Sequence, residues 1–319
     1  MAQISSAAQS ISRSSLIRFS VLLVISLLIW WRPLLSSLNL AMHDGQYTHL
    51  LLILPVSVAL IVLEWNPREA PESFSRASFI VSVTLLSAAL LLTLDLRFRS
   101  SSLHLDEQLA LHMLALVLWW MAAFLLSFGF PAFRRAIFPL CFLLLLVPWP
   151  EFLLNPVVRL LQQGSAASAR ILFNLAHVPV AQDGTVLSIP GLTLEVAREC
   201  SSIRSSLMLV VTTMVLAQIC LRSTWRKVAI VAVAIPLSVA KNGLRIVVLG
   251  LLTTRVDRSF ISGRLHHQGG VIYLLVALVA VGALIWIAHH FEKEPVPVRL
   301  SSPRLAADSV PTPLTTSKQ

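Results

Sequence analysis

Three clusters in the sequence combine residue types suited to chemistry. The first is Arg198-Glu199-Cys200-Ser201-Ser202-Ile203-Arg204-Ser205, where an alternating segment meets the start of an apolar run. A helix N-terminus and neighbouring guanidinium groups both favour thiolate, the nucleophilic form of cysteine. Arg204 follows Cys200 by four residues and so shares its helical face. Taken alone, such a cysteine also reads as a small packing residue whose arginines hold lipid phosphates. The second cluster is Lys241-Asn242-Gly243-Leu244-Arg245, inside an apolar run and downstream of Pro236. Arg245 stands eight residues from the expected end of that run near 253, about 12 Å deep at helical rise. A cation at such depth faces a polar cavity or a partner by default, which marks a candidate site. A structural ion pair competes with that reading, although the runs hold few carboxylates. The third cluster is His266-His267-Gln268-Gly269-Gly270, at the start of the last apolar run. Histidine titrates where proton transfer near neutral pH needs it, but a lone interfacial histidine often does no more than hydrogen-bond.

These residues require a membrane scaffold. A bilayer is crossed by about 20 apolar residues, and eight runs approach that length: 16–36, 49–65, 78–95, 109–129, 136–150, 202–221, 228–253 and 269–290. The expected fold class is an all-α polytopic membrane protein of about eight transmembrane helices. The run 136–150 is short for a span. Residues 151–178, with Arg159, Gln162, Gln163 and Arg170 among leucines, read as a short amphipathic or re-entrant helix at the interface. Leu192, Leu194 and Val196 alternate with Thr193, Glu195 and Ala197, the period of a strand. Asp183-Gly184 and Pro190-Gly191 supply turns for a small extended hairpin on one membrane surface. The chain divides into a polar segment 1–15, a membrane domain 16–292 and a tail 293–319. The tail is rich in Pro, Ser and Thr and is expected to be disordered. No cleavage site follows the first run, so it is expected to stay as a span. With eight spans, the start of the sixth, the end of the seventh and the start of the eighth share one side. Cys200, Arg245 and the histidine pair then converge.

Composition agrees. Of 319 residues, 56% are hydrophobic and 13% charged, against about a quarter charged in soluble domains. The net charge of +10 does not signal nucleic acid. Lys and Arg sit mostly in short loops, as topology determinants and contacts to anionic lipid, and no basic stretch interleaves aromatics. The three cysteines form no metal pattern, and Cys141 and Cys220, inside apolar runs, are expected to pack as small hydrophobes. No metal or cofactor is expected. Arg134, Arg135, Arg222, Arg226 and Lys227 fall on the N-terminal side of the membrane, against Arg97, Arg99, Arg255, Arg258 and Arg264 opposite. Positive-inside counting thus separates the sides only weakly; a cytoplasmic N-terminus is the expected orientation, and an even span count puts the tail there too.

The three clusters together resemble the exosortase and archaeosortase family. Its Cys-Ser/Ala-Gly-Ile-Arg-like box is similar to Cys200 with Arg204, with Ser202 where the family usually has Gly. Its Asn-x-x-Arg box corresponds to Asn242 with Arg245, and its His-x-x-x-Gly box to His266 with Gly270. Tyr47-Thr48-His49 with Pro55 and Trp65, and the lead-in from Gly184 to Glu199, are also similar. The resemblance runs from about 45 to 290. It implies a membrane-embedded cysteine transpeptidase of the inner membrane with its site facing the periplasm. Its partners would be exported proteins ending in a Pro-Glu-Pro-like motif, a transmembrane helix and a basic cluster. Catalysis would fall to Cys200, Arg245 and His266, with Arg204 and Asn242 in support and His267 as the alternative histidine. The acyl-thioester would pass to an acceptor, a lipid or an amine. Two other functions fit parts of the sequence. A transporter explains Lys241, Arg245 and Pro236 at a broken helix but leaves Cys200 without a role. An intramembrane cysteine protease would release the thioester to water.

Overall fold

The computed structural model describes residues 2–64, 76–99, 103–196, 203–257 and 270–292. The tail from 293 lies outside them. The chain is an all-α polytopic membrane protein with one small sheet. Its helices are α1 (Ala2–His43), α2 (Leu50–Glu64), α3 (Arg76–Arg99), α4 (Leu105–Arg135), α5 (Ile137–Phe142), α6 (Glu151–Leu175), α7 (Ile203–Cys220), α8 (Thr224–Arg255) and α9 (Gly270–His290). Among the described residues, seven helices are long and apolar enough to cross a membrane: α1, α2, α3, α4, α7, α8 and α9. The eighth candidate is a bent pair, Ile137–Leu146 with Glu151–Leu175, whose axes meet at 96°. The run at 136–150 is thus too short by itself. It ends at Val147-Pro148-Trp149-Pro150, where Val147 is already extended. Two prolines without backbone donors, each disfavouring helix in the residue before it, force the turn.

The molecule has two packed halves. In the first, α4 lies between α1 and α3. Trp119 donates to the Leu22 carbonyl at 3.0 Å and Trp120 to the Ser26 hydroxyl at 2.9 Å. Both indoles therefore bury their rings while keeping a polar partner, as buried tryptophans do. In the second half, α7, α8 and α9 form an antiparallel bundle closed by Leu209, Ala217, Leu221, Ala277, Val281 and Ile285. One end of this bundle is tied by Glu292, whose carboxylate accepts from the backbone of Ser223 and Arg222. Those donors hold the Glu292 carboxyl below the usual carboxylate range.

Helix α6 runs beside α8 in the same direction. Three successive contacts establish this: Gly164 at Val239, Gly243 at Ser168 and Ala169, and Gly250 at Phe173. Its inward stripe of Leu154, Val158, Ser165, Ala166, Ala169 and Phe173 is the expected amphipathic pattern. The outer face, however, carries exposed Phe152, Leu160, Ile171 and Leu175. The helix fills 25 residues of the 151–178 stretch and is packed lengthwise against a span.

The extended segment is a three-stranded antiparallel meander of β1 (Ala181–Asp183), β2 (Val186–Ile189) and β3 (Leu192–Glu195), in the order β1-β2-β3. Gly191 closes the second turn at φ 83°, a backbone state that glycine adopts without penalty. Leu187, Ile189 and Val196 join Ala166, Ala169, Phe173, Ile246 and Val247 in one core. The sheet thus sits on the C-terminal ends of α6 and α8.

A Cβ added at Gly243 would stand 2.9 Å from the Ala169 backbone nitrogen and also strike the Ser168 side chain. Gly243→Ala should therefore destabilise by about 1–3 kcal/mol, the range for overpacking, read as a lower midpoint of thermal unfolding in detergent. Adding Ser168→Gly should recover only part, since the backbone contact stays. Full recovery would mean that α6 and α8 do not approach this closely.

Candidate active site

Of the residues singled out in the sequence, Arg204, Lys241, Asn242 and Arg245 are described, whereas Cys200 with Arg198, and both His266 and His267, lie outside the described residues. The described groups meet at one place. Lys241, Asn242 and Arg245 are buried on α8, at 6%, 1% and 9% exposure. Lys241 donates its ammonium to the Ser205 hydroxyl, in the first turn of α7. A Cβ on Gly270 would stand 4.0 Å from Nη1 of Arg245, so the guanidinium reaches the first residue of α9. Arg245 also acts electrostatically on Tyr273, one turn into α9. The starts of α7 and α9 therefore converge on one polar face of α8.

Helix α8 is longer than its neighbours. At 1.5 Å per residue the 18 residues of α7 span about 27 Å, the 21 of α9 about 31 Å and the 32 of α8 about 48 Å. Because Lys241 and Arg245 lie level with Ser205 and Gly270, the surplus of α8 is its last turns, Ile246–Arg255, which carry the sheet. Arg245 thus stands where two membrane-length helices begin, with α8 continuing beyond.

Both flanks of the cysteine segment are anchored to α6. The Val196 carbonyl accepts from the Gln162 side chain at 3.0 Å, and its N–H donates to the Thr185 carbonyl at 3.0 Å. On the far side Ile203, 4% exposed, packs with Leu154 and Val158. The turn between α1 and α2 also reaches this end. Tyr47 donates to the Trp149 carbonyl at 3.3 Å, and Arg204 Nη1 lies 3.4 Å from where a Cβ on Gly45 would be. Arg204 is exposed and lies on that turn. Ser205, Gln162 and Tyr273 carried no role in the sequence. Ser205 closes the Cys200 cluster and Gln162 stands among the leucines of 151–178, but only the tertiary neighbour of each marks it. Cys141 and Cys220 were expected to pack in the interior, yet both thiols are exposed on outward faces. Small apolar runs do not tell the inward from the lipid-facing side of a helix.

The edge of the sheet points toward the same place. Ile189 pairs with Leu192 across a two-residue turn, Leu187 with Leu194. In an antiparallel ladder these pairs exchange hydrogen bonds while the alternate residues direct N–H and C=O outward. Thr193 and Glu195 thus present backbone groups at the free edge of β3, with exposed side chains. The strand descends along α8, with Leu194 at Gly250 and Val196 held by Gln162.

No curated protein and no solved structure matches the chain. Residues 30–283 match the family model of the transmembrane exosortase (Exosortase_EpsH). That match takes in most of the chain, from the tryptophan-lined first half to the converging ends of α7, α8 and α9. By that extent, the chain belongs to the transmembrane exosortase family.

Proposed function

We propose that this chain is a cysteine transpeptidase that cleaves C-terminal sorting signals from exported proteins and passes them to an acceptor. Membership of the exosortases carries a membrane sorting role of the transpeptidase kind, acting on exported proteins with sorting signals. The cysteine chemistry, the Pro-Glu-Pro-like signal and the periplasmic site are our reading. One observation supports it above others: the beginnings of α7 and α9 meet at Lys241 and Arg245. Cys200 precedes Ile203 by three residues and His266 precedes Gly270 by four. At about 3.5 Å per residue the chain keeps them within about 10 and 14 Å of those anchors.

In this mechanism the Cys200 thiolate attacks the scissile carbonyl, forming a C–S bond and a tetrahedral oxyanion. Arg245 stabilises thiolate and oxyanion as a fixed charge, because guanidinium does not give up its proton at neutral pH. Collapse breaks the C–N bond, and His266 as imidazolium donates its proton to the leaving amine. The acceptor, an amine or a lipid-borne nucleophile, then attacks the thioester and gives its proton back to His266. Cys200 returns as thiolate. Asn242 and Arg204 support the site, the first buried beside Arg245 and the second at the rim.

Cys200→Ala should leave the protein in the membrane and abolish processing, so that uncleaved substrate accumulates, while Cys141→Ala and Cys220→Ala stay near wild type. Normal processing by Cys200→Ala protein would end the enzymatic reading. The mass of the product separates transfer from hydrolysis.

His266→Ala should lower processing by about a hundredfold or more, the usual scale of lost general acid–base catalysis, with His267→Ala mild. Equal loss at both positions, or loss at His267 alone, reverses the assignment.

The site is proposed to face the periplasm and to receive substrate as a strand added to β3. A single-cysteine variant carrying Thr193→Cys should react with an impermeant thiol reagent in cells with an intact inner membrane; reaction only after that membrane is broken open overturns the orientation. Glu195→Pro removes an N–H that serves no bond within the sheet, and edge strands tolerate such a proline. Loss of one intermolecular hydrogen bond should reduce processing by about threefold to tenfold. Unchanged processing argues against pairing at that position.

A further inference from the structure

Beyond the convergence of α7, α8 and α9 the structure has a cleft of about 710 Å³, between the second turn of the sheet and the end of α8. Gly191, Leu192 and Thr193 line one wall, and Thr253, Arg255 and Asp257 the other. Its polar groups are uneven in one respect. Thr254 turns its hydroxyl back onto the Gly250 carbonyl at 2.9 Å. Thr253 is 5% exposed, and its hydroxyl has no hydrogen-bond partner among the described residues. A buried hydroxyl left so is costly unless something fills the cleft and bonds to it. Arg255 supplies a positive charge, and Asp257 already has a polar or electrostatic partner of its own.

We propose that this cleft is the subsite that reads an acidic side chain of the sorting signal, upstream of the scissile bond, through Arg255 and Thr253. The proposal rests on the sorting-transpeptidase reading above and adds to it where the signal lies. A signal whose C-terminal helix enters the membrane must run from the sheet toward the membrane. β3 runs the same way, from Leu192 at the cleft to Val196 beside α6. The added strand is therefore parallel to β3.

Parallel pairing decides which side chain enters. The substrate residue that bonds Gly191 and Thr193 lies opposite Leu192, with its side chain on the same face of the sheet. That face is the one turned to α8. The residues before and after it direct their backbone nitrogens away from β3. A proline on each side of the acid then forfeits no pairing bond, since proline lacks only a donor that pairing would not use. Pro-acid-Pro is thus a sequence this edge accepts, with the acid aimed at α8.

The geometry also sets a spacing. Arg255 lies ten residues beyond Arg245 on one helix, about 15 Å. An extended strand covers that distance in about four or five residues. The acid should lie about that far upstream of the bond cleaved next to Arg245.

The test uses the full-length protein in membranes and an exported reporter ending in Pro-Glu-Pro, an apolar helix of about 20 residues and a basic tail. Wild-type protein should process it, Cys200→Ala should not, and Arg255→Glu should be slower by about tenfold. Changing the reporter's Glu to Lys should slow the wild type and restore the Arg255→Glu variant, a reciprocal effect that misfolding does not produce. Thr253→Val should raise the substrate concentration needed for half-maximal processing more than it lowers the maximal rate. The mass of the released N-terminal part should place the acid about four or five residues before the cut. If Arg255→Glu processes the Glu reporter at the wild-type rate, or the acid falls on the C-terminal side of the cut, the subsite is wrong while the Cys200 chemistry stands. If the wild type shows no Cys200-dependent processing, both fall together.

Discussion

The close approach of α6 and α8 at Gly243 is the constraint on which the functional end depends. With no side chain at Gly243, the two backbones come near enough that the Ala169 nitrogen occupies the space a Cβ needs. That contact aligns α6 with α8, which brings Phe173 under the sheet at Gly250 and Gln162 to the Val196 carbonyl. It also orients the cations. Lys241 and Arg245 each stand two residues from Gly243, about 200° around the helix at 3.6 residues per turn. When Gly243 faces α6, both must face the opposite way, toward α7 and α9. One glycine thus assigns one face of α8 to packing and the other to charge.

That charged face lies where helices begin. The N-terminal turns of α7 and α9 present the positive ends of their helix dipoles. Lys241 and Arg245 add two full charges one turn apart, the lysine engaged by Ser205. In the proposed reaction this positive potential would stabilise a thiolate and the tetrahedral oxyanion it forms. The overshoot of α8 past its neighbours gives the same end its second property. It carries a small sheet with an open edge past the ends of its neighbours, so the strand edge and the buried cations are stacked along one helix.

The latch at the other end complements this. Glu292 accepts from the backbone where α7 turns into α8, and Arg226 donates to the Ala288 and Phe291 carbonyls at the end of α9. These contacts set the vertical register of the three helices. A shift of one turn there would move Ser205 and Gly270 about 5 Å past Lys241 and Arg245.

Much of this was legible in the chain itself. Apolar runs of bilayer length specify spans because backbone groups in hydrocarbon must pair within the segment. The alternation from Leu192 to Val196 with its Pro-Gly turn specified strands, since only a period of two puts those leucines on one face. The order of the cysteine, arginine and histidine boxes specified the family. What the chain could not declare were relations between elements distant in sequence. Residues 151–178 carry an amphipathic pattern that an interfacial helix and a packed one share, and only the fit of Gly243 against Ala169 placed α6 along α8. The outward faces of Cys141 and Cys220, the reach of Arg245 to the start of α9 and the pairing of Lys241 with Ser205 have the same origin. Periodicity records how a helix is polar, whereas the neighbour that meets its polar face is chosen by packing across the whole bundle.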